Sequence, residues 1–180
     1  MIFQHADLSA QKKTYPKHQF GIAYSSFSGT GLNYQIELNQ SSAVQLGGIV
    51  YYYGDNPPDD LDFYTILGAE YQHSIIKQGN TRIYGFLGGS YLNLEHRRVK
   101  RYVINDREIV EKNIVSDEII NLGAGVGIEY KILPAFAISG SVGLLHQISD
   151  NTSFSEFWDR SPDGTTYTGF GVSIAIRYVF

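Results

Sequence analysis

The side chains best suited to chemistry in this sequence are three carboxylates and one guanidinium set among small, mostly uncharged neighbours: Glu37, Glu70, Glu129 and Arg177. Lys131 and Arg82 are further cations of the same kind. An ion in a narrow interior is costly unless an opposite charge and hydrogen bonds offset its desolvation. The chemistry expected of this set is therefore ion pairing, with Arg177 bridging carboxylates as a plug or gate; the plainer alternative is a polar core that satisfies its own members. A second group, His96, Arg97, Arg98, Lys100 and Arg101, precedes Asp106, Glu108, Glu111, Asp117 and Glu118. The basic half, Arg97, Arg98, Lys100 and Arg101, suits phosphate binding, and the whole equally suits a solvated charged hairpin. Phe154, Phe157 and Trp158 stand among Asp150, Glu156, Asp159, Arg160 and Asp163, a pattern for a surface ligand or for an aromatic cap. The histidines at 18, 73, 96 and 146 show no convergent ligand spacing, so neither a metal nor a cofactor is expected.

The elements that must position these groups are strands. From Thr166 to Phe180 the even positions run Phe170, Val172, Ile174, Ile176, Tyr178, Phe180, while the odd ones run Gly169, Gly171, Ser173, Ala175, Arg177. That is a period of two, which a helix does not produce. Ile120, Leu122, Ala124, Val126, Ile128 and Tyr130 alternate in the same way with Asn121, Gly123, Gly125, Gly127 and Glu129. Strands are expected at about 18–27, 31–40, 43–53, 62–74, 81–95, 118–131, 135–147 and 166–180, with ends good to ~2 to 4 residues. If Asn105-Asp106 makes a turn, Lys100 faces Glu111 across a protruding ribbon of β-branched residues.

The two faces differ in an unusual sense. A soluble sandwich places its large apolar side chains inside and charge outside. Here the second face is Gly, Ser, Ala, Asn and Gln, which suits a narrow polar lumen, since about eight strands enclose a space only side chains fill. The large apolar face then meets lipid. Connections alternate between brief ones at 39–42, 77–80 and 133–134 and longer ones at 54–61, 96–117 and 148–165, with 28–30 a short exception on the long side. Tyr24, Tyr34, Tyr52, Tyr71, Tyr84, Tyr130 and Tyr178 fall near strand ends, where aromatic girdles lie.

Over residues 18–180 the chain resembles the small eight-stranded outer-membrane β-barrels, the class that includes the OmpA transmembrane domain. The resemblance implies an all-β, eight-stranded antiparallel up-and-down transmembrane β-barrel in a bacterial outer membrane, with both termini periplasmic. It implies that Tyr178 and Phe180 belong to the signal read by the barrel-assembly machinery. Where the family often carries glycine, preceded two places earlier by a polar residue, this chain has Ala175 and Ser173. Outer-membrane lipid and lipopolysaccharide are the implied partners, and the 96–117 hairpin is a candidate edge for an extracellular protein. Residues 1–17 read as a periplasmic arm or the remnant of a signal peptide. The lipid A deacylase barrels pair a His and a Ser two residues apart with a downstream acid; here His146 is followed by Ile148, Ser149 and Glu156, so a hydrolase is a secondary reading beside a small-solute channel. A structural or surface-interaction role without catalysis is expected.

Composition agrees. The chain has 180 residues, 43% of them hydrophobic, with 14 Tyr, 10 Phe and 19 Gly, which suits one β-rich domain. No apolar run reaches the ~18 residues of a membrane-spanning helix. With 14 basic and 18 acidic residues, a net charge of −4 and a pI near 5.7, nucleic acid is not an expected partner. The absence of cysteine excludes a disulfide framework and thiolate metal sites.

Overall fold

A computed structural model of the chain describes residues 17–56, 60–104, 107–155 and 158–180, with the side chains at 55–60, 102–109, 111–112 and 151–163 outside that description. Residues 1–16 of the expected N-terminal arm therefore lie outside the described residues, as do the turn at Asn105-Asp106 and the side chains of Phe154, Phe157 and Trp158. The described chain is eight strands: β1 (His18–Ser25), β2 (Gly31–Glu37), β3 (Ser42–Asn56), β4 (Asp60–Gln78), β5 (Thr81–Ile104), β6 (Arg107–Leu133), β7 (Phe136–Ser155) and β8 (Trp158–Val179). Each pairs antiparallel with the next, and β8 pairs with β1 to close the barrel.

The period of two decides which way each side chain points. Phe20, Ile22, Leu46, Leu67, Leu87, Val126, Leu144, Phe170 and Ile174 are exposed on the outside, while Gln19, Gln35, Gln45, Gln72 and Ser139 are buried inside. This inverts a soluble protein and matches a wall whose outer solvent is hydrocarbon. Tyr34, Tyr71, Tyr130 and Tyr178 form a lower row near the rim that carries the chain ends, and Tyr52 lies higher on β3. Tyr84 does not join them: it is 2% exposed, turned into the lumen, with the Arg82 guanidinium 4.7 Å above its ring.

The lower rim is built from tight links. Asn39 Oδ1 accepts from the backbone amides of Ser41 and Ser42 at 2.8 Å each, Gly79 takes a positive φ of 56° between β4 and β5, and Pro134-Ala135 joins β6 to β7. At the other rim the expected long loops are corrected: most of 54–61, 96–117 and 148–165 is strand. The ladder carries on through β-branched residues such as Val99 and Val110, and Lys100 pairs with Glu111, the register expected.

The first hairpin behaves in the opposite way. Pairing of β8 with β1 ends at Ser25↔Ser173, and pairing of β3 with β2 ends at Leu32↔Gly48. Above that level β3 and β8 continue without β1 and β2 between them. The wall is a complete ring in its lower half and a six-stranded sheet above.

Candidate functional site: a lumen filled in two layers

Strand alternation delivers Glu37, Glu70, Glu129 and Arg177 to the interior, as expected. Arg177 is the hub. Its Nε donates to Asn33 Oδ1 at 2.6 Å, Nη1 to Glu129 Oε2 at 3.2 Å and Gln19 Oε1 at 3.5 Å, and Nη2 to Gln45 Oε1 at 2.7 Å and Ser139 Oγ at 2.9 Å. All five guanidinium protons are placed, on acceptors from β1, β2, β3, β6 and β7. One arginine from the last strand thus ties together most of the circumference.

The carboxylates divide differently from expectation. Glu129 is the carboxylate paired with Arg177; Arg82 Nη2 lies 3.7 Å from the same Oε2, and Gln35 Nε2 donates to it at 3.3 Å. Glu70 accepts from Gln72 Nε2 at 2.7 Å, and Gln72 in turn accepts from Arg82. Glu37 does not join the cluster. It sits lower, 3.7 Å from Lys77 Nζ and 3.8 Å from Lys131 Nζ, because its strand ends there and leaves it level with the rim lysines. The structural unit is Arg82, Arg177, Glu70 and Glu129, two charges of each sign, within a ring of amides.

The second layer lies outside the sequence expectations. The short β1–β2 link folds into the lumen, and Phe27 and Ser28 are fully buried there. Phe27 packs on Phe86 with ring centroids 4.8 Å apart, and Tyr84 and Leu145 complete the cluster. Ser25 Oγ accepts from the amides of Phe27 and Ser28 at 3.1 and 3.0 Å, fixing the turn, and Gly29 completes it with a φ of 83° that other residues rarely adopt. Inward glycines make the room. A Cβ at Gly123 or Gly171 would overlap the Phe27 ring, one at Gly47 or Gly68 the backbone of Ser28, and one at Gly127 the Tyr84 phenol. The layers are joined as well: Gln45 Nε2 donates to Ser28 Oγ at 2.9 Å, and Gln45 Oε1 accepts from Arg177. The inward glycines at 47, 68, 123 and 171 were the available signal for an inserted loop.

The expected basic patch does not form one surface. Successive strand residues point to opposite faces, so Arg97 and Arg101 share one face of β5 and Arg98 and Lys100 the other. Arg97 Nε donates to Glu95 Oε1, while Arg98 Nη1 donates to Asp62 Oδ1 at 2.8 Å. His96 Nδ1 is bonded to the same Asp62 oxygen at 2.9 Å. The hydrogen bonds from Arg98 and His96 hold the Asp62 carboxyl below the usual carboxylate range. The hydrolase residues are not assembled either. His146 bonds Thr168 Oγ1 on the outer face and Ser149 bonds Thr165 Oγ1 on the inner one, and Glu156 lies outside the described residues. Among the described residues no cluster of His, Asp and Glu suits a metal.

At the lower rim the ends of the chain close on each other. His18 N donates to Phe180 O at 3.2 Å and Phe180 N to His18 O at 2.9 Å. The His18 ring lies between those of Tyr34 and Phe180, each centroid 5.9 Å away, and Tyr178 stacks on Phe180 at 6.3 Å. The residues expected to form an assembly signal are thus also the seam of the barrel.

No protein-family model and no curated protein sequence matches the chain. Solved structures do. A major outer membrane protein from Thermus thermophilus aligns over 93% of this chain and 100% of its own, with 11% identity and a TM-score of 0.52. CarO2 of Acinetobacter baumannii aligns over 92% and 98%, with 10% identity and a TM-score of 0.44. Outer membrane protein W of E. coli aligns over 92% and 97%, with 13% identity and a TM-score of 0.45. The chain is similar to the first of these in fold: it is an all-β barrel of eight antiparallel up-and-down strands, the architecture of outer-membrane barrel proteins.

Proposed function

We propose that the protein is an integral outer-membrane barrel with a closed lumen, both termini in the periplasm, acting as a structural or surface-interaction protein and not as a pore or an enzyme. The observation that carries this reading is the two-layer filling of the lumen. A solute crossing the barrel meets Phe27 against Phe86, then the Arg177 and Arg82 cluster, and each layer is held by contacts from several strands. The extended hairpins place charged side chains outside the apolar band, where Arg97, Lys100 and Arg101 can meet lipopolysaccharide phosphates or an extracellular protein. Tyr178 and Phe180 remain the residues for recognition by the assembly machinery.

The test is conductance in planar bilayers. The intact protein is expected to give no stable single-channel steps. Phe27→Gly combined with Arg177→Met removes both obstructions and is expected to give small, reproducible steps. Steady conductance from the intact protein would refute the closed-lumen reading and favour the small-solute channel.

A further inference from the structure

The geometry points to a docking site for a β-hairpin of another polypeptide, entering from the outer side between the upper edges of β3 and β8. It does not depend on whether the lumen conducts. Its basis is the direction of the backbone hydrogen-bonding groups. On β3 the even-numbered residues face β2, since Ser42 O accepts from Leu38 N, and odd-numbered ones face β4, since Ser41 O accepts from Ser74 N. On β8 the even-numbered residues face β1: Ser26 N donates to Val172 O at 3.1 Å and Phe180 N to His18 O. Antiparallel ladders alternate strictly, so Val50 and Tyr52 of β3, and Phe170 and Thr168 of β8, turn their N–H and C=O groups into the gap above the first hairpin. The hydrogen bonds of both strands on that side have already ended, at Gly48 and Val172.

Depth makes these edges consequential. Tyr52 is ten residues past the start of β3 at Ser42, and Phe170 ten before Phe180. A tilted strand needs about 9 to 11 residues to cross the hydrocarbon. Val50, Tyr52 and Phe170 therefore lie in its outer part, where an open sheet edge has no water to bond and is strongly disfavoured. An acyl chain fills space there but supplies no donors or acceptors. The missing partner is extended backbone.

The polarity and width name its form. β8 runs inward and β3 outward, and the two positions between them are filled below by β1 and β2, a hairpin running outward and then inward. A second hairpin entering from outside presents one strand antiparallel to β8 and one antiparallel to β3. Its lipid-facing residues must be apolar, to continue the band set by Val50, Tyr52 and Phe170, and its inward residues small, because Gly171 lies against the Phe27 ring and the Tyr167 ring covers Gly169.

The experiment uses the full-length protein in nanodiscs and a synthetic hairpin of alternating Val and Ser closed by Asn-Gly. It is tethered by a disulfide to Thr166→Cys, which is unique because the chain has no cysteine. Tethering raises the local concentration, so a sequence imperfectly matched to the site still reports. The readout is NMR of the backbone amides in the nanodisc. Without the hairpin, the amide protons of Val50, Tyr52, Thr168 and Phe170 are expected upfield of those of Ile49 and Tyr51, which face β4 and are hydrogen-bonded. With it, all four shift downfield and show cross-strand NOEs to the hairpin. Val50→Pro removes a donor facing the gap and spares the ladder to β4; it is expected to leave a folded barrel and abolish the NOEs on the β3 edge. Cross-strand NOEs between β3 and β8 without the hairpin would mean the wall closes on itself, and NOEs to neither edge or to one alone would overturn the proposal.

Discussion

Replacing Arg177 with methionine isolates the central interaction of the lumen. The guanidinium is 2% exposed and all five of its donors are bonded, so the variant removes one buried ion pair and orphans Asn33, Gln19 and Ser139 as acceptors, while Gln45 Oε1 keeps Gln72 Nε2 at 3.3 Å. Removing one partner of a buried pair costs about 3 to 5 kcal/mol. Glu129 keeps Arg82 at 3.7 Å and Gln35 at 3.3 Å, which places the electrostatic part near the lower end. The orphaned neutral acceptors add to it, each about 1 kcal/mol where water does not reach. A total loss of about 6 kcal/mol is expected from reversible urea unfolding in lipid vesicles. Adding Glu129→Gln removes the stranded carboxylate, so the double variant should be more stable than the sum of the two losses by about 1 to 3 kcal/mol. Glu37→Gln in the same background should be additive, because Glu37 answers to Lys77 and Lys131. Additivity with Glu129, or coupling to Glu37 of equal size, would refute the assignment of partners.

Four other outcomes follow from the same geometry. Phe27→Ala empties a space bounded by Phe86, Leu145 and the glycines at 123 and 171, and should cost about 3 to 5 kcal/mol in the same unfolding assay. Gly123→Leu drives a side chain into the position of the Phe27 ring, and should expose the 26–29 link to protease while β3 to β8 remain resistant. Arginine at Val126 or Ile174 on the lipid face should cost about 2 to 4 kcal/mol near the bilayer midplane, whereas arginine at Thr168 near the outer edge should cost about 0 to 1 kcal/mol. The folded-state pKa of Asp62 is depressed by Arg98 and His96, so its contribution is present above the ordinary aspartate value and is lost as pH falls through the lowered one. The protection factors of the amides along 96–98 should therefore fall in that acid window and become independent of pH in Asp62→Asn.

The barrel was legible because alternation in β6 and β8 is unbroken and its polar face is small, a combination that a soluble sheet does not use. Strand polarity also placed Glu129 and Arg177 correctly, since parity survives errors of a few residues at strand ends. Which carboxylate meets Arg177 was not legible. That depends on height as well as facing, and height is set by register across all eight strands, so Glu37 was grouped with residues lying well above it. Tyr84 was misplaced in the girdle for a related reason: it is near a strand end, yet its parity is that of Arg82 and Phe86, which are buried. The basic run at 97–101 looked like one patch in sequence and became two faces once the residues proved to be strand and not loop.

The first hairpin accounts for both the closed interior and the incomplete wall. With the link from Ser26 to Thr30 turned inward, Phe27 gains burial against Phe86 and Leu145, and the turn recovers backbone hydrogen bonds through Ser25 Oγ. A link of the same length standing upright would add a few ladder bonds to β3 and β8 but would leave Phe27 facing lipid or water and a void above Tyr84. The void would be lined by Gly47, Gly68, Gly123 and Gly171, which have no side chains to fill it. Turned inward, the link fills that space at interior density and gives up the ladder bonds it would make standing upright. The cost falls where water is absent, on the edges of β3 and β8 within the outer hydrocarbon. The inward turn and the demand for an added hairpin are therefore one structural choice: a barrel that closes its lumen with its own chain leaves part of its wall to be completed by another.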